Sequence, residues 1–251
     1  MSTSFKAISD PMQALWLGMI PYPVALSLQA ELVEARKEGL IGDLLLLLTH
    51  PPTITLGRRA RLEHLLAETS RLNELGIEVH NIGRGGDVTF HGPSQIIGYP
   101  IVDLSRMRPD IHWYLRTLEE ALIEALTFWH IDARRFPPHT GVWINDRKVA
   151  AIGVQVKRWI TCHGFALNVE HDLSGFELIV PCGIRDYGVT SITEATGSPV
   201  SVAQAASPVA RALLRHLGSA CRGLDDWSRL PETSRKILTQ AIDPTRTPVL
   251  D

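Results

Sequence analysis

The sequence predicts an α+β fold with a mixed central sheet flanked by helices. Strand candidates outnumber helix candidates, and they come in hairpin-like clusters rather than in strict β–α–β alternation. One short run, Asp43–Leu48, is almost wholly apolar, as a central strand buried on both faces would be. A long amphipathic helix is expected at Asp110–Ile131, where Ile111, Tyr114, Leu115, Leu118, Leu122, Ala125, Leu126 and Trp129 recur at spacings of 3 and 4.

Ala14–Ile20 alternates loosely and reads as a strand. Pro23–Lys37 reads as a helix stopped by Gly39. Thr53–Leu56 and Ile77–Ile82 are short strands, and Gly83–Gly86 is a turn. Val88–Phe90 and Ile96–Val102 are strands joined by the loop His91–Ser94. Asp110 is the expected N-cap of the long helix. Thr140–Ile144 and Lys148–Val156 form a hairpin across Asn145–Asp146, and Thr161–Val169 is a further strand. A last core helix is expected over Pro208–Leu217, with Ser207 as N-cap and Pro208 at its first position. Residues 1–222 are assigned to one domain. Residues 223–251 are read as a weakly packed tail with one short helix at Glu232–Ala241.

Lys and Arg number 25 against 27 Asp and Glu, so the chain lacks the basic excess of a general nucleic-acid binder. With 45% hydrophobic residues it is not a disordered chain. No apolar run approaches the roughly 20 residues of a membrane span. Met1–Lys6 has no charged start followed by an apolar stretch. With free cysteines this predicts a cytoplasmic protein without membrane attachment.

The glycine loop Gly83–Arg84–Gly85–Gly86–Asp87–Val88 fails as a dinucleotide fingerprint, because Val88 stands where the third glycine belongs. It can be a plain turn, or a loop that lets backbone approach a ligand. No metal-ligand spacing and no GxSxG occur, so no metal and no cofactor are expected. Of the cysteines, Cys221 ends an apolar helix and Cys162 lies in a strand beside Ile160; both read as packing residues. Adjacent strand residues point to opposite faces, so Cys162 and His163 make a poor nucleophile–base pair. Cys182 lies on a loop between Pro181 and Gly183, poised rather than packed. A thiol near its ordinary pKa of about 8.5 needs a cation or a base to react at neutral pH. Lys148 is a candidate, although a lysine opening a strand is ordinarily just solvated.

Taken together, the motifs resemble the octanoyltransferases of the biotin/lipoate protein ligase superfamily. The matching blocks are His50–Arg58, Arg84–Pro93, Gly141–Trp143 with Lys148–Gly153, His163–Asn168, and Pro181–Ile184 with Gly188–Ser191. The resemblance covers roughly residues 12–217. It implies a biotin/lipoate protein ligase-like catalytic domain with Cys182 as nucleophile and Lys148 as its activator. It implies substrate contacts at Arg84, Gly85, Gly86, Asp87, Val88, Thr89, Phe90 and His91, at Ala151, Ile152 and Gly153, and at Gly164, Phe165 and Ala166. Phe90 replaces the family's tyrosine and Ser94 a glycine.

The implied reaction is octanoyl transfer from an octanoyl-acyl carrier protein, through a Cys thioester, to a lysine ε-amine of a lipoyl domain. The implied acceptors are the E2 subunits of 2-oxoacid dehydrogenases and the glycine cleavage H protein. Thioester-to-amide transfer is downhill, so no ATP is needed. The N–H groups of Cys182 and Gly183 are expected to form an oxyanion hole. Ala151, Gly153, Gly164 and Ala166 are expected to leave room for the acyl chain. Arg58, Arg59, Arg61, Lys157 and Arg158 are expected to meet acidic partners. Two rival readings are an ATP-dependent lipoate– or biotin–protein ligase, which needs no Cys nucleophile, and a non-catalytic module binding acyl groups or lipoyl domains.

Overall fold

A computed structural model describes residues 11–184, 186–219, 223–225 and 232–242. The readings placed on Cys221 and on most of the tail lie outside these residues. Seven strands form the main sheet: β1 (Gln13–Met19), β2 (Leu44–Thr49), β6 (Gln95–Ile101), β7 (Arg134–Phe136), β8 (His139–Ile144), β9 (Arg147–Lys157) and β10 (Ile160–Asn168). Their order is β1-β2-β6-β10-β9-β8-β7. β1 and β2 run parallel and every other neighbour pair is antiparallel, so the sheet is mixed as expected. A second sheet, of three strands, is built from β3 (Thr53–Leu56), β4 (Glu78–Asn81) and β5 (Val88–His91), with β3 in the middle.

The five leucines of β2 show why this strand is central. Leu45 and Leu47 enter one core, while Leu44, Leu46 and Leu48 enter the other. Strand side chains alternate between faces, so only a strand covered on both sides can be apolar throughout. Helices α3 (Ile111–Thr127) and α5 (Val202–His216) cover the first face. Helix α1 (Tyr22–Lys37) covers the second. Truncating one of these fully buried leucines to alanine costs about 2–5 kcal/mol. A third, smaller core joins Val88 and Phe90 to Ile54 and Phe176 under the three-stranded sheet.

Asp110 caps α3 as expected, accepting a hydrogen bond from the Trp113 N–H at 2.9 Å. The helix ends at Thr127, short of Ile131. α5 corrects the sequence reading at its other end. It starts at Val202, capped by Ser201 in a reciprocal capping box with Gln204, so Ser207 and Pro208 lie inside it. A Ser-x-x-Gln capping signature outweighs the preference of proline for a first turn. Two short helices, α2 (Thr69–Glu74) and α4 (Ile192–Thr196), were not expected. The last helix, α6 (Glu232–Ile242), falls in the segment read as weakly packed. Even so, it sets Leu238, fully buried, into the α1-side core. Among the described residues no helix is long and apolar enough to cross a membrane.

Candidate active site

Three segments converge at one end of the central strands because buried polar groups bond them to one another. Gln95 donates from Nε2 to Asn168 Oδ1 at 2.8 Å, and Asn168 donates from Nδ2 to the Thr190 carbonyl at 2.9 Å. This line ties β6 and the end of β10 to the segment that follows Cys182. The same segment pairs with the start of β9: Lys148 N–H donates to Gly188 O, and Thr190 N–H donates to Lys148 O. The chain after Cys182 is thereby fastened alongside Lys148, although 34 residues separate the two in sequence.

The result is a direct contact. Lys148 Nζ donates to Cys182 Sγ at 3.2 Å. Lys148 is 6% exposed, and its ammonium lies 5.0 Å from the centre of the Trp143 ring. Cys182 sits in a single helical turn at φ 57 and ψ 17, a left-handed conformation that costs a residue with a Cβ roughly 1–2 kcal/mol. The turn uses the Gly183 N–H, which donates to Val180 O at 3.0 Å. This corrects the expected oxyanion hole: Gly183 has no free N–H to offer, and of the expected pair only that of Cys182 remains.

From Cys182 a narrow cavity of about 50 Å³ runs between the glycine loop and strands β9 and β10. Arg84, Gly86, Asp87, Thr89 and His91 line one wall; Ala151, Ile152, Gly153, Gly164, Phe165 and Ala166 line the other. Gly85 lines the wider basin outside it, of about 680 Å³. Val88 and Phe90 are not brought to the cavity. β5 alternates, so Thr89 and His91 face the cavity while Val88 and Phe90 pack in the third core, Phe90 against Phe176. The absent tyrosine hydroxyl at Phe90 therefore removes nothing from the cavity wall. Ser94 is accommodated as well: its hydroxyl donates to Asp172 O at 2.7 Å.

Gly164 is small for a different reason than expected. A Cβ there would stand 2.1 Å from the Gly98 carbonyl, so it permits close strand packing rather than emptying the slot. Arg84 is buried and held by neutral oxygens: its Nη2 donates to Thr55 O and Thr55 Oγ1, both at 2.8 Å. Burial holds its pKa below the ordinary value, partly offset by Tyr22 and Cys182.

The inner end of the cavity was missed by sequence reasoning. Tyr22, Tyr99 and His163 line it, brought there by α1, β6 and a left-handed kink at His163 (φ 56) in β10. Behind them Tyr99 hydrogen-bonds His50 at 2.7 Å, and the other His50 ring nitrogen donates to Ile20 O at 2.6 Å. Only tertiary pairing unites these residues, so no local spacing announces them. Burial lowers the pKa of His50 and of His163 from 6.5 to about 4, and holds that of His91 well below its ordinary value.

These histidines are thus neutral in the fold where an unfolded chain would protonate them. Their contribution is complete above pH 6.5 and is lost as pH falls toward 4. A shift of this size is worth about 3 kcal/mol per group at the acid end. Urea midpoints should therefore fall steeply between pH 6.5 and 4. His50→Gln, which cannot gain a proton, should flatten that fall. An unchanged slope would mean that His50 is not the group being titrated.

The model of the lipoyl protein ligase A/B catalytic domain matches residues 21–214. The chain belongs to that family. It is 53% identical over 168 residues to the octanoyltransferase of Solibacter usitatus, covering 67% of this chain and 76% of that one. It is 52% identical over 188 residues to the octanoyltransferase of Rubrobacter xylanophilus, covering 74% and 84%. A lipoate-protein ligase A crystallised with ATP superposes with a TM-score of 0.72 at 18% identity, covering 94% of this chain and 95% of the ligase. At that identity the likeness is one of fold.

Proposed function

We infer that this chain is an acyltransferase that moves an octanoyl group in protein lipoylation, from a thioester donor to a lysine of a lipoyl domain. The rival ATP-dependent ligase is not favoured, since the relatives near half identity are octanoyltransferases and the ligases are far more distant. The observation that carries the mechanism is the 3.2 Å contact between Lys148 Nζ and Cys182 Sγ at the mouth of a narrow, largely apolar slot.

In the first half-reaction the Cys182 thiolate attacks the donor carbonyl. A new C–S bond forms, the donor C–S bond breaks, and Lys148 gives its proton to the departing thiolate. In the second half-reaction an acceptor amine attacks the octanoyl-Cys182 thioester, an amide forms and Cys182 leaves. The proposed donor is octanoyl-acyl carrier protein. The proposed acceptors are lipoyl domains of E2 subunits and the glycine cleavage H protein, met in the cytoplasm. The test is intact-mass analysis after mixing with octanoyl carrier protein in the absence of ATP. A gain of one octanoyl group on Cys182, discharged by a lipoyl domain, is expected. Acylation that requires ATP would overturn the reading.

Docking of an acidic donor is served by Arg58, Arg59 and Arg61, which line the outer basin. Lys157 and Arg158 lie at the β9–β10 turn, the opposite end of β9 from Lys148, and so do not share in it. Donor KM should rise with salt past about 0.15 M, where the screening length is about 8 Å. The paired change Arg58→Ala and Arg59→Ala should remove most of that dependence. A KM that ignores both salt and these substitutions would exclude electrostatic docking here.

A further inference from the structure

Counting protons exposes a requirement that Lys148 alone does not meet. A lysine enters as an ammonium and ends as an amide N–H, so two protons must leave it. Lys148, neutral after giving its proton to the donor thiolate, takes back one. The other can pass to a second base in the same basin.

We propose that His64, oriented by Asp87, is that base. This rests on the acyl-transfer reading above. His64 and Asp87 line the basin together with Lys148 and Cys182. His64 is 8% exposed, and its Nδ1 lies 2.6 Å from Asp87 Oδ2. A carboxylate only accepts, so Nδ1 donates and the lone pair of the neutral ring stands on Nε2. The pair sits directly beside the nucleophile loop. A Cβ on Gly183 would fall 2.8 Å from His64 Cε1 and 2.7 Å from Asp87 Oδ2. The backbone fixes it there as well, because Val180 N–H donates to His64 O at 2.8 Å. Asp87 is itself held, its Oδ1 accepting from the Val88 N–H at 2.7 Å. A base oriented by a carboxylate is a recurrent arrangement in acyl-transfer chemistry.

The steps balance. His64 Nε2 takes the first proton from the acceptor ammonium. The free amine attacks the octanoyl carbonyl and the C–N bond forms. Lys148 takes the second proton, the C–S bond breaks, and Cys182 leaves as a thiolate beside the restored ammonium. His64 then returns its proton to solvent through the basin.

The experiment separates the half-reactions in His64→Gln and Asp87→Asn. In His64→Gln, loading of octanoyl onto Cys182 should stay within about twofold of the parent, which also shows that the fold survives. Discharge of preformed octanoyl-enzyme to a lipoyl-domain lysine should slow by about 10²-fold in His64→Gln, as loss of a general base does, and by less in Asp87→Asn. Discharge to hydroxylamine, a nucleophile already uncharged at neutral pH, should be unaffected. Equal slowing with lysine and with hydroxylamine would make His64 merely structural and overturn the proposal. Unslowed discharge to lysine would overturn it too. Absence of any octanoyl adduct in the unaltered chain would instead sink the acyl-transfer reading beneath it.

Discussion

Cys182→Gly and Cys182→Ala should both lose the octanoyl adduct and at least about 10⁴-fold of turnover, yet the glycine variant should be the more stable of the two. Ordinarily glycine is the worse residue, by about 0.5–1 kcal/mol of unfolded-state entropy. At position 182 the order reverses, because φ 57 strains any side chain with a Cβ by about 1–2 kcal/mol. Both variants lose the same sulfur partner of Lys148, so their difference isolates the backbone. The expected gap of about 1 kcal/mol moves Tm by about 2–4 °C in a domain of this size. Cys162→Ala is the control. Cys162 is buried, its Sγ is 3.4 Å from Gln155 Oε1, and burial pushes its thiol up to about 11, so it stays protonated and inert. An adduct that survives in Cys182→Ala would place the nucleophile elsewhere. An alanine variant more stable than the glycine one would mean that the strain is absent.

That strain also shows how far the sequence could be read. Pro181–Cys182–Gly183 announces a tight turn, and the resemblance names its thiol, but nothing local says that the cysteine itself takes the left-handed position beside a glycine that also does. The leucines of β2 declare a doubly buried strand because burial on both faces leaves no other composition. The start of α5 is hidden by a competition between two legible signals, Ser201–Gln204 and Pro208, which only packing decides. The block Arg84–His91 runs into the two-residue period of β5, so Val88 and Phe90 within it face away from the cavity. Lys148 and His163 share a sheet, but antiparallel pairing of β9 and β10 sets them apart, His163 facing Val154 in register and Lys148 lying beyond Ala150. His64 carries no motif weight at all. Its meaning comes from Asp87, 23 residues away, and from Gly183 on a third loop.

Lys148→Met should slow both half-reactions by about 10²–10⁴-fold while leaving the protein at least as stable as the parent. Methionine keeps the length and the apolar stem against Trp143, and the Cys182 sulfur left behind takes a proton, so no unpaired charge stays buried. The chemistry loses two things at once: the charge that favours the Cys182 thiolate across 3.2 Å, and the proton passed to the departing donor thiolate. Iodoacetamide labelling of Cys182 at neutral pH should accordingly be slower in the variant. Lys148→Arg separates the two roles. A guanidinium still supplies positive charge beside the sulfur, so labelling at neutral pH should be largely retained. It does not give up a proton in proteins, so it can serve neither as acid to the leaving donor nor as base to the acceptor amine. Turnover should stay as low as in the methionine variant. A labelling profile unchanged in Lys148→Met would remove the lysine from activation, and full turnover in Lys148→Arg would remove it from proton transfer.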